Sequence, residues 1–174
     1  MPLAKIYDRR NHMKILLLSD THGNHNGMQR AVNQFSTNAD LIVHCGDGPR
    51  GDAVWLRDNC RNSTVVCVAG NCDVLRNEFK EIEFLELCGH KIMVTHGHLF
   101  SAKSGLERLA YKASEEGADI VFFGHTHNQT DVIIGGVRLI NPGSASKYLP
   151  TCAVVEMDDK GNVLVNMLNI PPLR

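Results

Sequence analysis

A chain of 174 residues with 43% hydrophobic and 21% charged residues is long and apolar enough to form one globular domain with a substantial core. The net charge is −1 and no long basic run occurs, which argues against an extended nucleic-acid-binding surface. No apolar stretch reaches the roughly 20 residues that span a bilayer, and the N-terminus lacks an apolar signal segment, so we expect no membrane partner and a cytoplasmic location.

The cysteines of this chain show no C-x-x-C spacing, and several lie inside apolar runs typical of strands. We therefore expect reduced, buried thiols, with a disulfide framework as the weaker alternative. The six residues are Cys45, Cys60, Cys67, Cys72, Cys88 and Cys152.

The first half of the chain alternates between predicted strands and helices. Residues 1–12 are polar without a clear period, so we interpret them as an extension that precedes a single domain at 13–174. The apolar run Ile15–Leu18 predicts a buried strand of a mainly parallel sheet. The helical spacing of Met28, Ala31, Val32 and Phe35 predicts a helix that packs on it.

Two further strands are predicted at 40–44 and 63–68, and each is followed two residues later by a Gly and then a polar residue. Asp52 is expected to cap a short helix between these strands, around Trp55. Strands are then predicted at 81–84, 91–94 and 119–123, with a helix marked by Leu106, Leu109, Ala110 and Ala113 and ended by Gly117. Gly135-Gly136 indicates a hairpin, residues 141–144 a turn, and 153–155 with 163–165 a closing hairpin.

These elements include too many strands for one sheet covered by so few helices. The predicted fold is therefore α/β, with two mixed β-sheets packed face to face and helices on the outer faces, a four-layer αββα sandwich.

Five separate apolar runs end in side chains that can bind a metal, at the strand ends where ligand sites of such folds lie. Each cluster alone has an ordinary explanation: a turn for Asp47, an Asx turn for Asn71, and a loop for His125-Thr126-His127. Their recurrence at five strand ends favours a metal site. The seven groups are Asp20, His22, Asp47, Asn71, His96, His125 and His127.

Carboxylates, an amide oxygen and imidazoles suit borderline divalent ions. We expect Mn, with Ni, Zn, Fe or Co as alternatives. Seven ligands exceed what one ion needs with a substrate position left open, so we expect two ions that share a bridging carboxylate. Such ions lie ~3.5–4 Å apart and contact both oxygens of a phosphoryl transfer.

The motif set resembles that of the calcineurin-like metallophosphoesterases, and Asn71-Cys72-Asp73 resembles their small prokaryotic phosphodiesterase branch. The matching motifs are Asp20-x-His22, Gly46-Asp47, Gly70-Asn71, His96-Gly97-His98, Gly124-His125-Thr126-His127 and Asn141-Pro142-Gly143-Ser144. The resemblance implies a fold of two sheets between helical layers and a dinuclear metal centre. It also makes a homodimer or homotetramer a plausible assembly.

The resemblance further implies a role for each ligand. Asp20, His22 and His127 would hold one ion, Asn71, His96 and His125 the other, and Asp47 would bridge them. Water or hydroxide between the ions would attack a phosphate diester in line with the leaving alcohol and release a monoester without a covalent phosphoenzyme.

The expected proton donor is where this chain departs from the wider family. Many relatives carry a His directly after the Asn ligand, whereas this chain has Cys72, a weaker general acid at neutral pH. His98 is the alternative donor, or a loop histidine. Asn24 and Arg50, together with Asn71, are the candidate contacts to the substrate phosphate.

Three alternatives to a phosphodiesterase stay open at this point. The same ions could serve a phosphomonoesterase. A retromer subunit of similar fold serves mainly as a protein-binding platform, so a non-catalytic scaffold is a second alternative, although none of the seven ligand positions is lost here. A structural zinc site is the third, but such sites are usually closed and Cys-rich.

Overall fold

The computed structural model describes residues 7–8, 12–48, 50–73, 78–146 and 148–172, without the side chains of Tyr7, Asp8 and Arg50. Within these ranges the strands are β1 (Tyr7–Asp8), β2 (His12–Leu18), β3 (Leu41–His44), β4 (Thr64–Cys67), β5 (Ile82–Leu87), β6 (His90–Thr95), β7 (Ile120–Phe122), β8 (Gln129–Ile134), β9 (Val137–Pro142), β10 (Thr151–Asp158) and β11 (Val163–Asn169). The helices are α1 (His25–Phe35), α2 (Arg50–Asn59) and α3 (Glu107–Glu115), with a short 3-10 helix at His98–Phe100.

Five strands form one mixed sheet in the order β11-β10-β2-β3-β4. Its three parallel members end level with one another, because Leu18 pairs with His44 and His44 pairs with Cys67. The loops that follow these strands therefore leave the same edge of the sheet side by side. They carry Asp20, Asp47 and Asn71.

The remaining strands form the second mixed sheet, in the order β1-β5-β6-β7-β9-β8. Here β6, β7 and β9 are parallel, and Val94 pairs with Phe122, which pairs with Ile140. The loops after β6 and β7, with His96 and His125, consequently start next to each other.

Alternation along the strands divides the core into three apolar layers. Ile15 and Leu17 point between the sheets, where they share a cluster with Val94 and Phe122. Their neighbours on the opposite face of β2, such as Leu16, pack against α1 and α2. The outer face of the second sheet packs against α3. This arrangement confirms the predicted four-layer αββα fold.

The structure corrects several local predictions. Asp52 lies inside the first turn of α2 rather than at its cap, since the helix begins at Arg50. Asn141 and Pro142, predicted in a turn, are the last residues of β9, where Pro142 pairs with Gln129 at the end of the sheet ladder. All six cysteines are free, but the expectation that they are buried holds only for Cys45, Cys60 and Cys152. Two are partly buried, Cys67 and Cys88, and Cys72 is exposed.

The predicted N-terminal extension, residues 1–12, falls mostly outside the described residues. Tyr7 and Asp8 pair in parallel with Glu86 and Leu87, at the edge of the six-stranded sheet. His12 is the first residue of β2.

Candidate metal centre

Glycines next to the predicted ligands let the loops approach each other. A Cβ atom added at Gly70 would overlap the Asp47 carboxylate and its backbone nitrogen, and one at Gly124 would overlap the Ser19 hydroxyl and come within 2.7 Å of an Asp20 oxygen. A Cβ at Gly46 would lie 2.9 Å from Nδ1 of His96. These close contacts place the loops from both sheets at one site.

Five of the predicted ligands have a left-handed backbone. Their φ angles are 54° at Asp20, 45° at His22, 54° at Asp47, 67° at His125 and 60° at His127. Residues other than Gly rarely adopt such angles, and strained residues of this kind cluster at functional sites. The fold thus holds these side chains in conformations that the isolated chain would avoid.

Asp20, His22 and His127 form the first group of neighbouring ligand atoms. Asp20 Oδ1 lies 2.9 Å from His127 Nε2 and 3.6 Å from His22 Nε2, and the two imidazole Nε2 atoms are 3.2 Å apart. The other Asp20 oxygen accepts hydrogen bonds from the Ser19 hydroxyl at 2.6 Å and the His125 backbone N–H at 3.0 Å. Those two bonds orient Asp20 Oδ1 toward the histidines.

Asp47 and His96 lie in the second group, which also contains Asp20. His96 is fully buried, and its Nδ1 lies 2.8 Å from the Cys45 carbonyl oxygen. A carbonyl only accepts, so Nδ1 carries the proton and Nε2 keeps a lone pair for a metal. His96 Nε2 is 3.2 Å from Asp47 Oδ2, which lies 3.9 Å from His22 Nε2. Asp47 therefore lies between His22 of the first group and His96 of the second.

His125 and Asn71 border the second group. The imidazole of His125 lies 5.0 Å from that of His96, measured between ring centroids. The Asn71 amide nitrogen donates to Cys72 Sγ at 3.2 Å, and the Cys72 backbone N–H donates to Asp47 Oδ1 at 2.7 Å. All seven predicted ligands are thus assembled at the edge shared by the two sheets.

Two buried ligand atoms support a cation at this position. Asp20 Oδ1 and His96 Nε2 have no hydrogen-bond partner among the described residues. Buried polar atoms are normally satisfied, and an acceptor oxygen beside an imidazole lone pair is suited to a divalent ion. The residues present therefore fit the metal that the motif set implies.

The charges at this site are strongly coupled. Burial alone would raise the pKa of Asp47, but the neighbouring His96 and a hydrogen bond from the Cys72 amide hold this pKa below its usual range. Burial opposes the charge of His96, yet Asp47 and Asp20 raise its pKa above the usual value. Burial, with the neighbouring His96, lowers the pKa of His125 to about 4. In the metal-free site the surroundings thus favour a proton on His96, and burial with the neighbouring His96 disfavours one on His125.

The predicted proton donors both lie beside the ligands. Cys72 is exposed, and its sulfur lies in a group of potential ligand atoms with His22 and Asp47. Partial burial and the nearby Asp47 raise the pKa of its thiol, which keeps it protonated. His98 Nε2 lies 3.7 Å from Glu81 Oε1, and the His98 ring is 5.4 Å from that of His96.

The predicted substrate contacts have different outcomes. The Asn24 side chain caps α1 by accepting from the Gly27 N–H at 3.2 Å, and its amide nitrogen donates to the Ala145 carbonyl at 3.4 Å. Asn24 has this structural role, whereas its contact to substrate stays a prediction. The side chain of Arg50 lies outside the described residues.

Asp73 accepts hydrogen bonds from the backbone N–H groups of Gly70 and Asp47 and so holds the two ligand loops together.

Sequence reasoning did not assign roles to several buried polar residues around the site. Asn141 donates to the Gly124 carbonyl at 2.7 Å and to the Thr126 hydroxyl at 3.1 Å, which fixes the loop of His125 and His127. The Ser144 hydroxyl donates to the Asp20 carbonyl at 2.9 Å. Their Asn-Pro-Gly-Ser motif was the available signal, but its contacts depend on a fold in which residues far apart in sequence meet.

The sequence pattern of the Calcineurin-like phosphoesterase superfamily domain matches residues 13–160. The chain belongs to this superfamily. It is similar to the probable metallophosphoesterase YsnB of Bacillus subtilis, with 37% identity over 132 residues that cover 76% of this chain and 75% of the relative. It is also similar to the phosphodiesterase MJ0936 of Methanocaldococcus jannaschii, with 29% identity over 170 residues that cover 85% and 95% of the two chains. The chain is therefore a metal-dependent phosphoesterase.

Solved structures of other proteins share this architecture. A conserved protein of Streptococcus pneumoniae TIGR4, described as a predicted phosphoesterase, superposes with a TM-score of 0.72 at 26% identity, covering 92% of this chain and 99% of that one. Zinc-bound Vps29 of Entamoeba histolytica has a TM-score of 0.65 at 22% identity, covering 91% and 100%, and this likeness concerns the fold alone. No helix in the described part of the chain has the length and apolar character to cross a membrane.

Proposed function

We propose that this phosphoesterase is a two-metal phosphodiesterase that hydrolyses a phosphate diester to a monoester. The observation that carries the proposal is the position of Asp47, whose Oδ2 lies 3.2 Å from His96 Nε2 and 3.9 Å from His22 Nε2. A carboxylate between two sets of ligands can share its oxygens between two cations. The phosphodiesterase activity named for the M. jannaschii relative supports a diester as the substrate.

In this proposal Asp20, His22 and His127 hold one ion. Asn71, His96 and His125 hold the other, and Asp47 bridges the two. Divalent ions, with Mn expected, would neutralise phosphoryl charge and acidify a water for attack on phosphorus. The domain is proposed to comprise residues 13–174.

The residues of this chain orient the substrate and supply the leaving-group proton. Cys72 and His98 are the proposed donors, and Asn71, Asn24 and Arg50 the proposed contacts to the phosphate. A protonated thiol at Cys72 donates less readily than an imidazolium would. Esters with poor leaving groups should therefore react slowly.

A test of the proposal combines elemental analysis with kinetics on bis(p-nitrophenyl) phosphate and p-nitrophenyl phosphate in added Mn²⁺. We expect two bound ions per chain and a larger kcat/KM for the diester. The variant Asp47→Asn should lose both properties, whereas Asp58→Asn, an exposed carboxylate on α2, should retain them. A larger kcat/KM for the monoester would favour a phosphomonoesterase instead.

The fold shared with Vps29 keeps a protein-binding scaffold as the second candidate. Two bound metals without hydrolysis of any phosphate ester would favour it.

Light scattering would also decide whether the proposed phosphodiesterase is a homodimer or a homotetramer, the assemblies that we expect.

A further inference from the structure

A buried carboxylate outside the predicted ligand set connects three segments that surround the metal centre. Asp52, in the first turn of α2, is 1% exposed. One of its oxygens accepts a hydrogen bond from the Thr21 hydroxyl, and the other lies 2.6 Å from Nδ1 of His25. Thr21 lies between the proposed ligands Asp20 and His22, and His25 is the first residue of α1.

The Thr21 hydroxyl also faces the next ligand loop. Its oxygen is 3.4 Å from Nε2 of His44 and 3.5 Å from the Asp47 carbonyl oxygen. Burial lowers the pKa of His44 to about 4, so this imidazole is neutral and can donate Nε2–H to Thr21. Thr21 then donates to Asp52. Side chains of β3 and α2 thus contact the residue between two proposed ligands, and His25 of α1 contacts Asp52 in turn.

The backbone conformations of Asp20 and His22 explain why the hydrogen bond between Thr21 and Asp52 affects metal binding. Asp20 and His22 have left-handed backbones, with φ of 54° and 45°, and strained residues persist only where their surroundings fix them. Thr21 joins these two residues and is fully buried. A hydrogen bond that holds the Thr21 side chain in place therefore limits how far the ligands on either side can rotate.

We propose that Asp52 is a positioning residue of the metal centre, which acts through the Thr21 hydroxyl to hold Asp20 and His22 in their ligating geometry. The proposal rests on the proposed function in that it requires the loop of Asp20 and His22 to bind metal. Partners that orient metal ligands typically contribute 10- to 100-fold to metal affinity.

The test measures the dissociation constant for Mn²⁺ by calorimetry in the full chain. Thr21→Val removes the hydroxyl at nearly constant shape, and Thr21→Ser keeps it. We expect the dissociation constant to rise about 10-fold in Thr21→Val and to stay near the wild-type value in Thr21→Ser. Asp52→Ala should weaken binding to a similar degree, and the double variant with Thr21→Val should be no weaker than the weaker single variant. Asp58→Asn on the same helix is the matched control and should bind as the wild type does.

The thermal midpoint of each metal-free variant shows whether the variant is folded. A loss of metal affinity in a folded variant can then be assigned to positioning of the ligands rather than to unfolding. If Asp52→Ala does not fold, the comparison between Thr21→Val and Thr21→Ser decides alone. Wild-type affinity in Thr21→Val, equal losses in Thr21→Val and Thr21→Ser, or additive losses in the double variant would overturn the inference. Failure of the wild type to bind Mn²⁺ would instead overturn the proposed function, and this inference with it.

Discussion

The left-handed backbone of His22 leads to a quantitative prediction about stability. His22 has φ of 45°, and its backbone N–H is held by the Asp47 carbonyl at 3.0 Å. A side chain with a Cβ in this conformation costs roughly 1–2 kcal/mol, whereas Gly adopts it without that cost. His22→Gly and His22→Ala both remove the imidazole, but only the first removes the strain.

We therefore expect metal-free His22→Gly to be about 1 kcal/mol more stable than His22→Ala. For a chain of this size that difference corresponds to a shift of ~2–4 °C in the thermal midpoint, measured by calorimetry. Both variants should bind Mn²⁺ more weakly than the wild type, because the imidazole of a proposed ligand is lost.

The same two substitutions at Asn33, an exposed residue inside α1, provide the control. There Gly should be the less stable variant by ~1 kcal/mol, since its backbone loses more entropy on forming a helix. If Ala is at least as stable as Gly at position 22, while Gly is the less stable variant at position 33, the strain argument is wrong.

Three further predictions concern the site. Gly70→Ala should lower metal affinity at least tenfold, because the added Cβ would displace the Asp47 carboxylate. Gly51→Ala is the control and should bind as the wild type does, since its new Cβ meets only His25 at 3.5 Å. Equal affinities in the two variants would contradict the argument that a Cβ at position 70 displaces Asp47. Cys72→His should raise the rate on alkyl diesters about tenfold or more, with little change for p-nitrophenyl diesters; an unchanged alkyl rate would exclude position 72 as the proton donor. Because the carboxylates raise the pKa of His96, its proton competes with metal, so Mn²⁺ affinity should increase with pH until that pKa is passed. Calorimetry in buffers of different ionisation heats would detect the released proton, and pH-independent affinity would refute the coupling.

The architecture could be predicted because the patterns that mark strands and helices involve residues close together in the sequence. Alternating and continuous apolar runs mark the strands, and the 3.6-residue period marks α1 and α3. Strand lengths were less predictable, as β10 shows: its apolar run at 153–155 indicates three residues, but pairing with β2 and β11 extends it to Thr151–Asp158. Partners distant in sequence set that length.

The position of the site could also be predicted, since parallel strands deliver the residues that follow them to one edge. The hydrogen-bond partners of those residues could not. Asp52 looked like a helix cap because Asp is common there, yet its carboxylate is buried against Thr21 and His25. The left-handed φ angles of the proposed ligands could not be predicted from the sequence either, because they depend on contacts between loops of the two sheets.

The central claim is that Asp47 bridges two ions, and a crystal structure of the Mn²⁺-loaded protein with anomalous scattering tests it most directly. We predict two manganese peaks ~3.5–4 Å apart, each within bonding distance of an Asp47 oxygen. A single peak, or two peaks of which Asp47 contacts only one, would contradict the account.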